Sequence, residues 1–279
     1  MRFASYLGPG GVPTWGLEQD GLLHDLGPSG IGLAADLREA IANGVLVEPL
    51  PDIRAAGIPI DQVSFLPVIP NPRKILCIGV NYKAHRDETG RADSVAPMVF
   101  TRFADSLAAA GTTLPIPAET VKYDYEGELA LVIGAPADHV AREDAWSVVA
   151  GYAAFNDLSA RDWQRHTTQW TPGKNFPQSG PFGPYFVPVT DISDVDALVL
   201  ETRVNGDVRQ RASVANLIFS IPEIIEYCTS FTPLGAGDVI VTGTPGGVGL
   251  FREPPTFLES GDVVEVEISG LGILRNQLS

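Results

Sequence analysis

The stretch Lys122-Tyr-Asp-Tyr-Glu126-Gly-Glu128-Leu-Ala-Leu-Val-Ile133-Gly134 decides how the rest of the chain is read. It begins charged, turns aliphatic and β-branched, and stops at a glycine, the pattern of a strand entering a core. Side chains alternate faces along a strand, so Asp124, Glu126 and Glu128 point one way and Tyr125, Leu129 and Leu131 the other. Carboxylates two residues apart on one face sit about 7 Å from each other and repel unless something positive lies between them. A hard divalent cation answers with its preference for carboxylate oxygen. A solvated strand face on an acidic protein answers with water, and the stretch alone leaves both open.

Further along, Val148-Val-Ala-Gly-Tyr-Ala-Ala-Phe155-Asn156-Asp157 reads as a strand ending in two polar residues, with Asp157 placed to complete a carboxylate cluster. The densest polar block of the chain follows, Leu158-Ser-Ala-Arg161-Asp162-Trp163-Gln164-Arg165-His166. On a helical turn Arg161 and Gln164 share a face at i, i+3 and can hold a substrate carboxylate together. Lys174 stands in a proline- and glycine-rich, nearly uncharged loop, where a lysine can take a depressed pKa, clamp an oxyanion or simply be solvated. Upstream, Arg73-Lys-Ile-Leu-Cys-Ile-Gly79 predicts a short buried strand, and Val80 to Gly90 one or two helical turns closed by Gly90. His85 and Glu88 are i, i+3 on those turns; a carboxylate beside an imidazole orients it and raises its basicity, although surface His-Glu pairs are common.

Near the end, Gly243-Thr-Pro-Gly-Gly-Val-Gly249 is a tight loop at a strand end, able to offer backbone N–H groups and the Thr244 hydroxyl. It lacks the lysine and helix of a nucleotide-binding loop. Glu265 and Glu267 repeat the Glu-x-Glu spacing with no Asp or Lys block nearby, and read as an exposed strand face.

The chain has 279 residues, a formal net charge of −15, 29 glycines and 23 prolines. Its size suits one large domain with a small appendage. The charge argues against nucleic acid or anionic membrane as a partner. Cys77 and Cys228 lie in apolar contexts and read as buried thiols of a reducing compartment. No leader or membrane-length apolar run is legible, which predicts a soluble, unprocessed, cytoplasmic protein. Residues 1–70 read as a small amino-terminal α/β unit, with a glycine-rich hairpin loop at Gly8 to Gly11, a helix over Gly32 to Asn43, and a proline-rich surface linker from Pro49 to Pro72. Residues 71–279 form the second domain. The fold class predicted is mainly β with some α (α+β).

Together these phrases resemble the fumarylacetoacetate hydrolase family over roughly residues 73 to 278. The resemblance rests on Lys74-Ile-Leu-Cys-Ile-Gly-Val-Asn-Tyr82 with His85, Tyr125-Glu-Gly-Glu-Leu129, Asn156-Asp157 with Ala160-Arg161-Asp162 and Gln164, Gly173-Lys174, Gly183-Pro184, Val204-Asn205-Gly206, Gly237-Asp-Val-Ile with Thr242-Gly-Thr-Pro-Gly-Gly-Val248, and a closing Gly270-Leu-Gly-Ile. It implies a mixed β-sandwich or rolled-barrel fold, a homodimer, and one Mg²⁺, Mn²⁺ or Ca²⁺ held by Glu126, Glu128 and Asp157. It also implies a 2-oxo acid substrate, catalysis by His85, Glu88 and Lys174, and substrate contacts from Arg161, Gln164, Tyr82, Thr244 and Gly243. The leading activity implied is hydrolysis of the C–C bond of an acylpyruvate through a metal-stabilised enolate, the acylpyruvase and 2-oxo acid hydrolase-decarboxylase branch. Decarboxylation or tautomerisation of oxaloacetate-like acids, hydration of 2-oxo-alkenoates, and a non-catalytic metal-stabilised binding protein are the alternatives. Two phrases depart from the family pattern, Thr101-Arg102-Phe103-Ala104 and Pro177-Gln178-Ser179-Gly180-Pro181-Phe182-Gly183-Pro184, and both border the expected pocket.

Overall fold

The computed structural model describes residues 1–46 and 57–279, so Pro49 and Pro51 of the expected linker lie outside the described residues. Around the decisive stretch the chain forms two strands where the pattern predicts one, Tyr123–Asp124 and Gly127–Ile133. The break has a local cause. The Asp124 carboxylate accepts the Tyr125 N–H at 2.9 Å, and the Glu126 N–H goes to the Asn156 side chain at 3.1 Å. Backbone donors captured by side chains cannot continue a ladder. Tyr123–Asp124 pairs instead with Ser159–Ala160.

Gly127–Ile133 lies inside a six-stranded mixed sheet, in the order Val187–Pro188, Val149–Asn156, Gly127–Ile133, Val239–Val241, Ile75–Gly79, Met98–Arg102. Only Val239–Val241 and Ile75–Gly79 run parallel. Leu129, Leu131 and Ile133 on one face join Leu200, Val266 and Ile268 of a second, five-stranded sheet and Ile224 and Ile225 of the Ile221–Phe231 helix in one core. Ala130 and Val132 on the other face pack with Phe3, Trp15, Leu26 and Leu37 of the amino-terminal unit. A strand covered on both faces needs apolar residues at every position, hence the uninterrupted Leu-Ala-Leu-Val-Ile. The result is the mainly β, α+β architecture expected, with sheets stacked on either side of a central one.

The amino-terminal unit contains the Arg2–Leu7 and Pro13–Gln19 hairpin, and a short Leu37–Ala42 helix capped by the Asp36 side chain. The described part of the proline-rich segment, residues 57–72, is built into the fold and is no free surface linker. It supplies the two edge strands of the five-stranded amino-terminal sheet, Ile58–Pro59 and Ser64–Phe65, and buries Val68 and Ile69 completely. Edge positions tolerate a missing N–H, which is how Pro59 fits a strand. Among the described residues no helix is long and apolar enough to cross a membrane.

Candidate metal and substrate site

Antiparallel pairing brings the carboxylates together. Gly127 stands opposite Asn156, so the residue before one and the residue after the other meet at the sheet's end, and the Asp157 N–H donates to the Glu126 carbonyl at 2.8 Å. Glu126, Glu128 and Asp157 are all buried, and one carboxylate oxygen from each lies within 4.8 Å of the others. Glycine is required between the glutamates, because a Cβ at Gly127 would stand 2.1 Å from the Thr202 hydroxyl.

Three buried cations converge on these acids. Lys174, carried by the Thr171–Lys174 turn, places Nζ 2.5 Å from both Glu126 Oε2 and Asp157 Oδ2. Arg161 Nη1 reaches Glu126 Oε1 at 2.6 Å, while its Nε donates to Asp124 at 2.8 Å. Asp124 also takes the N–H groups of Gly249 and Leu250, which makes it an anchor for Arg161 and the 249–250 loop and keeps it out of the carboxylate cluster. Arg102 donates Nε to Asp157 Oδ1 at 2.5 Å, and its remaining N–H groups go to Leu158 O, Ser179 and Ser106.

Glu128 is different. Its bonded partner is the Gly243 N–H at 2.6 Å, with no cation hydrogen-bonded to it among the described residues. Burial, then the charges of Asp157 and Glu126, pushes its carboxyl well above the usual range. Burial acts the same way on Glu126, but Arg161 and Lys174 outweigh it and hold that carboxyl below the usual range. Burial pulls the Lys174 ammonium down, and Asp157 and Glu126 more than restore it, so it stays charged. Neither the depressed lysine nor the solvated one allowed by the sequence is found.

The donor set fits a hard divalent cation. Three carboxylates converge, each ligand oxygen keeps a second lone pair beyond its hydrogen bond, and Glu128 has no cation hydrogen-bonded to it among the described residues. Beside the cluster the buried Arg161 Nη2 has no hydrogen-bond partner among the described residues. A buried donor left unpaired costs about 1–3 kcal/mol, so an incoming acceptor is favoured there.

The cavity above the cluster is about 310 Å³. His85, on the Lys83–Thr89 helix, forms part of its wall. Its Nδ1 lies 2.7 Å from Glu88 Oε1, and Glu88 Oε2 accepts the Gly247 N–H at 2.9 Å. Nε2 is thereby the ring nitrogen with no protein partner among the described residues. Gln164 spends its side-chain oxygen on Arg161 at 3.2 Å and keeps its NH₂ available.

The remaining expected substrate contacts are placed less directly. Thr244 lines the cavity, but its hydroxyl donates to Gly127 O at 2.9 Å and accepts from Gln210 at 2.8 Å. Gly243 serves Glu128 through its N–H. Its φ of +106° excludes a side chain, and a Cβ there would stand 2.8 Å from that of Asn81. Tyr82 is buried and does not line this cavity, and its hydroxyl has no hydrogen-bond partner among the described residues. Sequence reasoning does not reach Arg102, Ser106 and Ser179 as site residues. The available signal is that Arg102 and Ser179 fall in the two departing phrases, and they bond each other at 2.9 Å.

Comparison with known proteins gives the family. Residues 74–279 match the family described as fumarylacetoacetate (FAA) hydrolase C-terminal. The mitochondrial oxaloacetate tautomerase fahd2 of Xenopus laevis is 42% identical over 217 residues, covering 77% of this chain and 68% of that protein. Oxaloacetate tautomerase YisK of Bacillus subtilis is 42% identical over 223 residues, covering 78% and 74%. Among solved structures, a fumarylacetoacetate hydrolase from Exiguobacterium antarcticum superposes with a TM-score of 0.89 at 34% identity, covering 100% of this chain and 99% of that one. A 5-carboxymethyl-2-hydroxymuconate delta-isomerase from Mycobacterium smegmatis gives a TM-score of 0.79 at 30% identity, covering 100% and 98%. The chain belongs to the fumarylacetoacetate hydrolase family.

Proposed function

We propose that this member of the family is a divalent-metal-dependent tautomerase of an oxaloacetate-like 2-oxo acid, moving a proton between C3 and the 2-oxygen. The curated relatives named above carry that activity in their names, and the M. smegmatis neighbour is named an isomerase, which favours this alternative over the acylpyruvate hydrolysis that leads from the sequence alone. The observation that carries it is the His85–Glu88 pair, held at 2.7 Å through Nδ1 on the wall of a cavity floored by acidic ligands. Tautomerisation asks only for a proton carrier and a place for enolate charge. Hydrolysis asks in addition for water attack on a second carbonyl.

A cation held by Glu126, Glu128 and Asp157 would supply Lewis-acid polarisation of the 2-oxo group, worth several kcal/mol of charge stabilisation. His85 carries the proton between the 2-oxygen and C3 in either direction, so the step consumes no water and breaks no carbon–carbon bond. Glu88 fixes the ring and stabilises the imidazolium while it carries that proton. The Lys174 ammonium donates to the developing enolate oxygen. The unpaired Arg161 Nη2 and the Gln164 amide hold the 1-carboxylate. The homodimer, the cytoplasmic location and the division into 1–70 and 71–279, with the first unit acting as an apolar cover for the central sheet, belong to the same proposal. Sedimentation, fractionation and limited proteolysis test them.

The deciding assay follows the enol absorbance of oxaloacetate with Mg²⁺ or Mn²⁺, beside acetopyruvate cleavage. Enol decay accelerated by the enzyme and abolished by chelator is expected. Faster acetopyruvate cleavage than oxaloacetate tautomerisation, or indifference to chelator, sinks the reading.

A further inference from the structure

Two arginines on the cavity wall have no part in the mechanism above, Arg91 and Arg165. Both are exposed, and neither pairs with a carboxylate among the described residues, although the chain carries a net charge of −15. Their neighbour Arg86 is engaged by Asp87 and Asp93. Arg91 is also pre-positioned. Its guanidinium lies over the Trp170 ring at 5.3 Å, Trp170 meets Phe100 edge-on at 5.5 Å, and the Lys174 ammonium lies over Phe100 at 5.0 Å. An aromatic stack therefore links the cation at the carboxylate cluster to a cation outside it. Gly79 makes room for the stack, since a Cβ there would stand 2.3 Å from the indole. Arg165 directly follows Gln164, so the same turn that offers an amide to the inner end of a ligand offers a guanidinium beside it.

We infer that Arg91 and Arg165 form a second anion subsite, which receives the distal carboxylate of a 2-oxo dicarboxylic acid and makes the cavity select dicarboxylates over monocarboxylates. The inference rests on the 2-oxo acid reading of the site. The inner groups account for one carboxylate and the 2-oxo oxygen. A second carboxylate entering beside Phe100, Trp170 and Phe251 would be stranded without a counterion, and a planar guanidinium fork supplies it with two parallel donors. Stacking on Trp170 limits the side-chain freedom Arg91 loses when it binds.

The test compares kcat/KM for oxaloacetate and for acetopyruvate, a monocarboxylate 2-oxo acid, in the Mg²⁺-loaded wild type, Arg91→Gln and Arg165→Gln, with circular dichroism to verify folding. The oxaloacetate-to-acetopyruvate ratio is expected to fall about 10- to 100-fold in each variant, chiefly through KM for oxaloacetate. A ratio within about twofold of wild type overturns the subsite, and so does an equal loss for both substrates, which marks a general field at the mouth. Wild-type protein that turns over neither substrate overturns the tautomerase reading instead. Calorimetry with 2-oxoglutarate and 2-oxobutyrate then decides the subsite. Selective weakening of 2-oxoglutarate by Arg91→Gln or Arg165→Gln supports it, and weakening of both ligands or of neither overturns it.

Discussion

The chain sets two glutamates two residues apart on a strand twice, Glu126-Gly-Glu128 and Glu265-Val-Glu267. At the second place arginines settle the repulsion, Arg203 bridging both glutamates and Arg275 reaching Glu265 at 3.5 Å. Arg203 on the neighbouring strand reaches Glu265 at 3.1 Å, Glu267 at 2.8 Å and Glu201 at 2.7 Å, with the Glu267 side chain 43% exposed. At the first place the Glu126 side chain is 6% exposed, Arg161 and Lys174 both reach it, and Glu128 has no cation bonded to it among the described residues. Identical spacing thus gives a water-screened ladder in one sheet and an incompletely neutralised cluster in the other. Burial separates the two, because the same charges interact weakly in solvent and strongly, at a high desolvation cost, inside.

The comparison breaks most decisively through activity. Glu126→Gln or Glu128→Gln is expected to lose about 10³-fold or more in kcat, the scale of several kcal/mol of lost cation-assisted stabilisation, whereas Glu265→Gln stays within about twofold of wild type. Comparable losses at both places, in the same enol assay, would erase the distinction. Next comes the proton carrier that only the first pair has beside it: Glu88→Gln is expected to cost about 10²-fold in kcat with little change in metal affinity. Stability sharpens the contrast further. Removing Arg102 leaves the fully buried Asp157 carboxylate with Lys174 as its remaining ion-pair partner among the described residues, and is expected to cost about 3 kcal/mol by denaturant titration. Removing Arg203 from the half-buried ladder is expected to cost about 1 kcal/mol or less, and that cost shrinks in about 1 M salt.

The smallest effect is in pH. In metal-free protein Glu128 holds a proton that the unfolded chain releases at ordinary carboxylate pH. The folded state then binds more protons than the unfolded one, so the stability linked to this group is lost as pH rises from the ordinary carboxylate pKa toward the raised one. Metal binding must displace that proton, so apparent metal affinity is expected to rise with pH over the same window. Glu128→Gln should flatten the stability profile there, read as chelator-treated Tm against pH; an unchanged slope would remove Glu128 as its source.

The two Glu-x-Glu phrases also mark how far sequence reading reaches. Glu265 and Glu267 are legible as an outward strand face, because no Asp or Lys block like the one around Asp157 and Lys174 accompanies them. Glu126, Glu128 and Asp157 can be grouped from sequence because strand patterns put them at strand ends, and antiparallel pairing does the rest. His85 and Glu88 are legible from helical spacing, and their 2.7 Å contact follows from it. Arg102 is not. It lies 55 residues from Asp157 in sequence, on a strand at the edge of the same sheet, and a charge in an apolar strand does not announce its partner. The proline-rich segment escapes sequence reading for a related reason. Composition says that proline cannot donate, whereas an edge position where donation is not required is a property of the sheet.

By itself the sequence determined the periodicities: alternating or continuous apolar strands, the helical offset of His85 and Glu88, and the Gly90 stop that closes their helix. These are local, set by backbone sterics and by which faces must be buried. Only the tertiary structure decided the charge balance. Whether a carboxylate meets Arg161, Lys174, Arg102 or water depends on which strand ends the packed sheets bring into one desolvated volume. The strength of every interaction there depends on that desolvation, which no stretch of sequence carries alone.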